Sequence, residues 1–146
     1  MLYSGGADVL DRAAQAGCHG LLITDLPVGS DPEREAWLGG SPLAFIRLVA
    51  PTTPSGRMKE ISTHGSGFVY LISRLGVTGV RDDVAPELPA TVQRLRDATT
   101  LPVCVGFGVS RPEQAAAVAR IADGVVVGSA IVRAAGNSVE EATRLT

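Results

Sequence analysis

The chain has 146 residues, 45% of them hydrophobic, and 13 basic against 15 acidic side chains leave a net charge of −2. That length suffices for one domain with a real core, and scattered basic residues leave no electrostatic footprint for nucleic acid. Aromatic residues make up only 4% of the chain, no apolar run reaches membrane-span length, and the N-terminus lacks a basic-then-apolar layout, so neither single-strand stacking nor a membrane is indicated and a cytoplasmic protein is expected.

Asp8 to Ala16 reads as a helix with Val9, Leu10 and Ala13 on one face and Gly17 as its stop. Cys18, on the following turn, and Cys104, inside a later strand, lack metal-ligand spacing and read as small apolar fillers. Gly20 to Leu26 is the first strand, closed by Pro27. Ser30 and Glu33 have capping-box spacing and open a helix to Leu38. Pro42 to Ala50 is the second strand. A helix over Ser55 to Thr63 follows, capped by Thr53 or Ser55. Gly67 to Ser73 is the third strand, and a long polar loop, Arg74 to Asp83, leads to a helix over Leu88 to Ala98 with Leu88, Val92 and Leu95 on one side.

Val103 to Val105 and Val125 to Val127 are β-branched runs without polar alternation, which is how strands covered on both faces look. Between them Ser110 and Glu113 form another capping-box pattern before a helix. The first run ends in Gly106 and Gly108, the second in Gly128, and Ser129 stands where the next helix begins. That helix takes in Ile131 to Ala135, and Asn137–Ser138 marks a break or cap before a last piece, Val139 to Leu145. Glycine turns that feed helices can aim backbone N–H groups at one anion, and phosphate is the expected guest. The plainer reading is that these glycines only permit tight turns.

Strict alternation of strand and helix implies an α/β fold with parallel strands and right-handed crossovers. An open doubly wound sheet would place its glycine fingerprint after the first strand, where this chain has Asp25-Leu26-Pro27. The glycine turns lie instead after the later strands, which favours a partial (β/α)8 TIM barrel of about five strands, since a whole barrel takes about 250 residues. The expected organisation is a single domain over residues 1–146, holding about five of the eight strands.

G-L-L-I-T-D-L-P, L-V-A-P-T-T-P, G-F-V-Y-L-I-S-R-L-G-V-T-G, P-V-C-V-G-F-G-V-S followed by P-E-Q, and A-D-G-V-V-V-G-S-A-I-V together resemble the tryptophan synthase α subunit, from about Asp8 to the C-terminus. The resemblance implies a lyase of tryptophan biosynthesis that cleaves indole-3-glycerol phosphate by a retro-aldol step into indole and glyceraldehyde 3-phosphate. It implies no cofactor, because pyridoxal phosphate belongs to the β subunit, the expected partner in an α2β2 assembly. By resemblance the phosphate is held by Gly79, Phe107, Gly108, Gly128 and Ser129, and Tyr70 lines the substrate pocket; otherwise Tyr70 is an amphipathic core residue at the barrel mouth. The segment Arg74 to Asp83 matches a lid that closes over substrate, with Thr78 orienting a catalytic aspartate, although a solvated connection would also explain its charges. Asp25 matches an aspartate near the surface that couples the two subunits, with helix capping as its other reading.

The family's catalytic glutamate and aspartate belong to a region without counterpart here, so no catalytic residue is assigned and the chain is expected to be inactive alone. Asp31, Glu33, Glu35 and Glu60 fall on outer helices and do not replace them, and His19 and His64 fall on turns as surface residues. An unclosed sheet is expected to expose edges and an apolar inner face, whether the start is misplaced or the chain is a fragment. Two other readings stay open. One is a different phosphate-binding barrel, such as a thiamine-phosphate synthase or a pentulose-phosphate epimerase, which would lack the G-V-T-G lid. The other is a non-catalytic remnant that binds phosphate or a partner.

Overall fold

The computed structural model describes residues 8–73, 85–106 and 108–144. Its elements alternate as expected. Helix α1 (Val9–Gln15) leads into β1 (Gly20–Leu22), then α2 (Pro32–Gly39), β2 (Ala44–Val49), α3 (Ser55–Thr63), β3 (Val69–Ile72), α4 (Leu88–Arg96), β4 (Val103–Gly106), α5 (Pro112–Ala119), β5 (Gly124–Val126), α6 (Ser129–Asn137) and α7 (Val139–Thr143). The five strands form one sheet in chain order, every neighbouring pair parallel, curled as a half-barrel with alternating helices. Chain-order neighbours are what right-handed βαβ units produce.

The two faces of the sheet differ sharply. On the outer face Val49, Val69, Leu71, Val103 and Val105 are buried against Met58 of α3, Leu88, Val92 and Leu95 of α4 and Val118 of α5. A second cluster joins Leu10 of α1, Leu38 of α2, Leu26, Leu43 and Phe45. On the inner face Ile46, Leu48, Tyr70, Ile72, Cys104 and Val126 are only partly buried, and Leu22 is exposed. The strands therefore show a period-2 pattern of burial that their apolar sequences hide. β5 in particular is half-buried along its length, so its continuous valine run does not mark a strand covered on both faces.

Several local expectations shift. β1 is three residues long rather than seven, because the chain turns at Thr24 and Asp25. The cap of α2 is Asp31, whose carboxylate accepts from the Arg34 N–H, and not Ser30. Ser30 instead donates its hydroxyl to the Pro27 carbonyl. Helix α3 starts after Pro54, and the Thr53 hydroxyl accepts from the Ala50 N–H rather than capping the helix. At α5 the box partner is Gln114, whose side-chain oxygen accepts from the N–H groups of Ser110 and Arg111, and not Glu113. Ser138 does cap α7, through the Glu141 N–H. Cys18 is exposed and fills no core position, whereas Cys104 is half-buried in β4. His19 and His64 are exposed, as expected of turn residues.

Candidate functional site

Of the candidate residues that are described, Tyr70 lies within β3, Gly108, Gly128 and Ser129 follow the carboxyl ends of β4 and β5, and Asp25 follows β1. In register, Tyr70 pairs with Cys104 and Gly106 with Val126. A Cβ on Gly106 would lie 2.5 Å from the Val126 carbonyl oxygen and 3.0 Å from the Tyr70 hydroxyl. Glycine is therefore required at that position, and its absent side chain lets the Tyr70 phenol lie across β4. Partial burial raises the Tyr70 pKa above the ordinary phenol value, so this hydroxyl stays protonated and can donate a hydrogen bond.

Two residues on, Gly108 has φ +85°, a left-handed conformation that bends the chain out of β4 toward α5. The matching position after β5 is Gly128, the N-cap of α6, with Ser129 as the first helical residue. No side chain among the described residues caps this helix, so its first-turn N–H groups keep their capacity to donate. Because β4 and β5 are paired in register, these two turns are neighbours at one end of the sheet. Arg74, Thr78, Gly79 and Phe107, and with them the expected lid over Arg74 to Asp83, lie outside the described residues.

Asp25 is exposed on the turn after β1, away in the sheet order from β4 and β5. Since α2 is capped by Asp31, helix capping does not account for Asp25. The turn that carries Asp25 is tied down by a group the sequence reading passed over. Arg47, on the outer face of β2, is only 4% exposed. Its Nη2 pairs with the Glu35 carboxylate at 2.6 Å, its Nη1 donates to the Leu26 carbonyl at 3.0 Å, and its Nε donates to the His64 carbonyl at 3.0 Å. The guanidinium carbon also stands 3.9 Å from the Phe45 ring centroid. Glu35 lies on the outer helix α2 as expected, but its side chain, 9% exposed, turns onto Arg47 and is paired. The only sequence signal was an arginine interrupting the apolar run of β2, between Ile46 and Leu48.

A cavity of about 520 Å³ lies against this ion pair, lined by Pro32, Glu35, Phe45, Arg47 and His64 among others, and does not include Tyr70, Gly108, Gly128 or Ser129. Among the described residues no group of three His, Cys, Asp or Glu side chains is placed to hold a metal ion. Nor is any helix among them long and apolar enough to cross a membrane.

A family model described as tryptophan synthase alpha chain matches residues 1–146. The tryptophan synthase alpha chain of Carboxydothermus hydrogenoformans is 44% identical over 140 residues, which are 96% of this chain and 52% of that protein. The one from Desulfatibacillum aliphaticivorans is 46% identical over 136 residues, 93% of this chain and 51% of that protein. Among solved structures, the alpha subunit of Campylobacter jejuni tryptophan synthase superposes with a TM-score of 0.84 at 28% identity, covering 98% of this chain and 58% of that one. A chain of the Pyrococcus furiosus tryptophan synthase α2β2 complex superposes with a TM-score of 0.80 at 36% identity, covering 99% and 59%. The chain spans about half the length of the curated relatives it matches.

Proposed function

The chain belongs to the tryptophan synthase alpha chain family, and from that premise we propose that it supplies the phosphate-binding part of an indole-3-glycerol phosphate lyase site. In this reading β1–β5 are strands four to eight of a (β/α)8 barrel. The reaction, release of indole and glyceraldehyde 3-phosphate, is a retro-aldol cleavage. The observation that carries the proposal is the in-register pairing of β4 and β5, each ending in a glycine turn that enters a helix. In (β/α)8 enzymes the loops after the last two strands frequently hold a phosphate.

The roles follow from chemistry. Backbone N–H groups of Gly108, Gly128 and Ser129 are aimed by the turns and by the α6 N-terminus at the phosphate, where the helix dipole favours negative charge. By family resemblance Phe107 and Gly79 are further candidates for holding the phosphate. Tyr70, protonated and partly buried, bounds the glycerol and indole side of the pocket. Thr78 and Arg74 belong to a lid that excludes water during cleavage. Cleavage also requires an acid for the indole ring carbon and a base for a hydroxyl or ring proton. No residue of these 146 is assigned to either role, so binding without turnover is expected of this chain by itself. The β subunit is the proposed partner, with Asp25 facing it, and the α chain itself needs no cofactor.

The test is a titration with indole-3-glycerol phosphate, competed by inorganic phosphate, for the parent and for Gly128→Asp. A Cβ at Gly128 meets no described atom within 4 Å, so the substitution leaves the fold intact and places a carboxylate at the cup. The expected outcome is saturable binding in the parent, weakened by about ten-fold or more in the variant, with no indole released by either. Equal affinity in the two proteins would sink the phosphate cup. Indole release at the rate of a full-length alpha chain would sink the expectation of binding alone.

A further inference from the structure

The Arg47–Glu35 pair is more than a piece of core. Arg47 occupies an outer-face position of β2 between Phe45 and Val49, where its neighbours are apolar and buried. Its side chain is 5% exposed and that of Glu35 is 9% exposed, so both charges have left water. Replacing such a pair by apolar side chains of similar volume is often neutral or stabilising, so stability does not explain its presence. What the pair does achieve is geometric. The Arg47 guanidinium spans from the loop before β3, at the His64 carbonyl, to the turn after β1, at the Leu26 carbonyl.

The same turn is held from three further sides. The Glu35 carboxylate that pairs with Arg47 uses its other oxygen to accept from the Gly29 N–H at 2.6 Å. Arg57 of α3 donates to the Val28 carbonyl at 2.9 Å. The Ser30 N–H and hydroxyl both return to the Pro27 carbonyl. Leu26 and Val28 are buried, while Asp25, one residue before the Arg47 anchor, projects to the exposed surface. A planar fork that binds two carbonyls and a carboxylate at once fixes a backbone far better than a flexible ammonium could.

We infer that Arg47, locked by Glu35, is the positioning residue for the Asp25 turn and so for contact with the β subunit. The second half of this inference rests on the coupling role proposed above for Asp25. Arg47 does not touch the phosphate cup; it acts through the backbone of residues 26–29.

Two measurements separate the halves. The first is hydrogen exchange of the parent, Arg47→Lys and the volume-conserving Arg47→Met/Glu35→Leu variant, which keeps the region folded if the single change does not. The Ser30 amide is expected to exchange about ten-fold faster in both variants, with the amides of β3 and β4 unchanged. An unchanged Ser30 rate, or a uniform acceleration of all amides, overturns the positioning role.

The second measurement titrates a tryptophan synthase β subunit into the same proteins, with and without Asp25→Asn. Arg47→Lys is expected to weaken binding by about ten-fold when Asp25 is present and by less than about two-fold in the Asp25→Asn background. Equal losses in both backgrounds, as a purely structural defect would give, overturn the link to Asp25. If the parent binds no β subunit while the Ser30 amide behaves as expected, the partner reading falls and the anchoring of the turn stands.

Discussion

Gly106 and Arg47 act in opposite ways, one by lacking a side chain and one by burying a charge. At Gly106 a methyl group would press on the Val126 carbonyl oxygen and the Tyr70 hydroxyl. The first is backbone and cannot move aside, and the second, the tip of a half-buried ring on the adjacent strand, has to shift. Gly106→Ala is therefore expected to cost about 1–3 kcal/mol, in line with other over-packed sites. It should also displace Tyr70 and weaken the proposed binding of a phosphate substrate. Urea unfolding read beside a ligand titration checks both, and an unchanged midpoint would show that the strands accommodate the methyl group. The need for glycine there was legible as a glycine turn after a strand. The identity of the crowding atoms was not, because Tyr70 is 36 residues away in the chain and adjacent only through strand pairing.

Between elements, the amino end of the sheet is joined by one carboxylate. Asp123, just before β5, accepts from the Val103 N–H at 2.8 Å and from Arg96 of α4 at 2.7 Å. The Val103 N–H first, and then Arg96, hold its pKa below the ordinary carboxylate value. A carboxyl group with a lowered folded-state pKa leaves the unfolded chain binding more protons, so its stabilisation is present at neutral pH and is lost as pH falls through the folded value. Asp123→Asn is accordingly expected to lower stability near pH 7 and to have little effect at a strongly acid pH below the folded value, where the parent carboxyl is also protonated. Urea midpoints at the two pH values decide it; a larger deficit at low pH would contradict the sign. At the starts of α2 and α5, sequence spacing found the right places and the wrong residues, whereas Ser138 caps α7 as expected. Ser30 and Glu33 have box spacing, yet Asp31 caps α2 and Glu35 is drawn inward by Gly29 and Arg47. Capping motifs with neighbouring Ser, Asp and Glu are degenerate by one or two residues, and packing chooses among them.

At the level of the whole chain, the sheet is asymmetric: sealed by helices on one face and partly open on the other. Leu71, fully buried on the outer face, and Leu22, 36% exposed on the inner face, sample the two environments with the same side chain. Leu71→Ala is expected to cost about 2–5 kcal/mol, and Leu22→Ala less than about 1 kcal/mol. Chemical denaturation of the two variants measures the difference, and equal costs would mean that the inner face is as well packed as the outer.

The sequence by itself determined the alternation of strands and helices, their parallel order, the family and the places where glycines turn the chain. Each of these depends on spacing along a few neighbouring residues, and local periodicity carries that information. Only the tertiary structure decided that Asp31 and Gln114 serve at the helix starts, that β5 is half-open, and that Tyr70 lies over Gly106. It alone decided that Arg47 is buried with Glu35 beneath the Asp25 turn. Its partners stand 12, 17 and 21 residues away along the chain. A charge so placed is stable only when all of them converge, and no local pattern encodes that convergence.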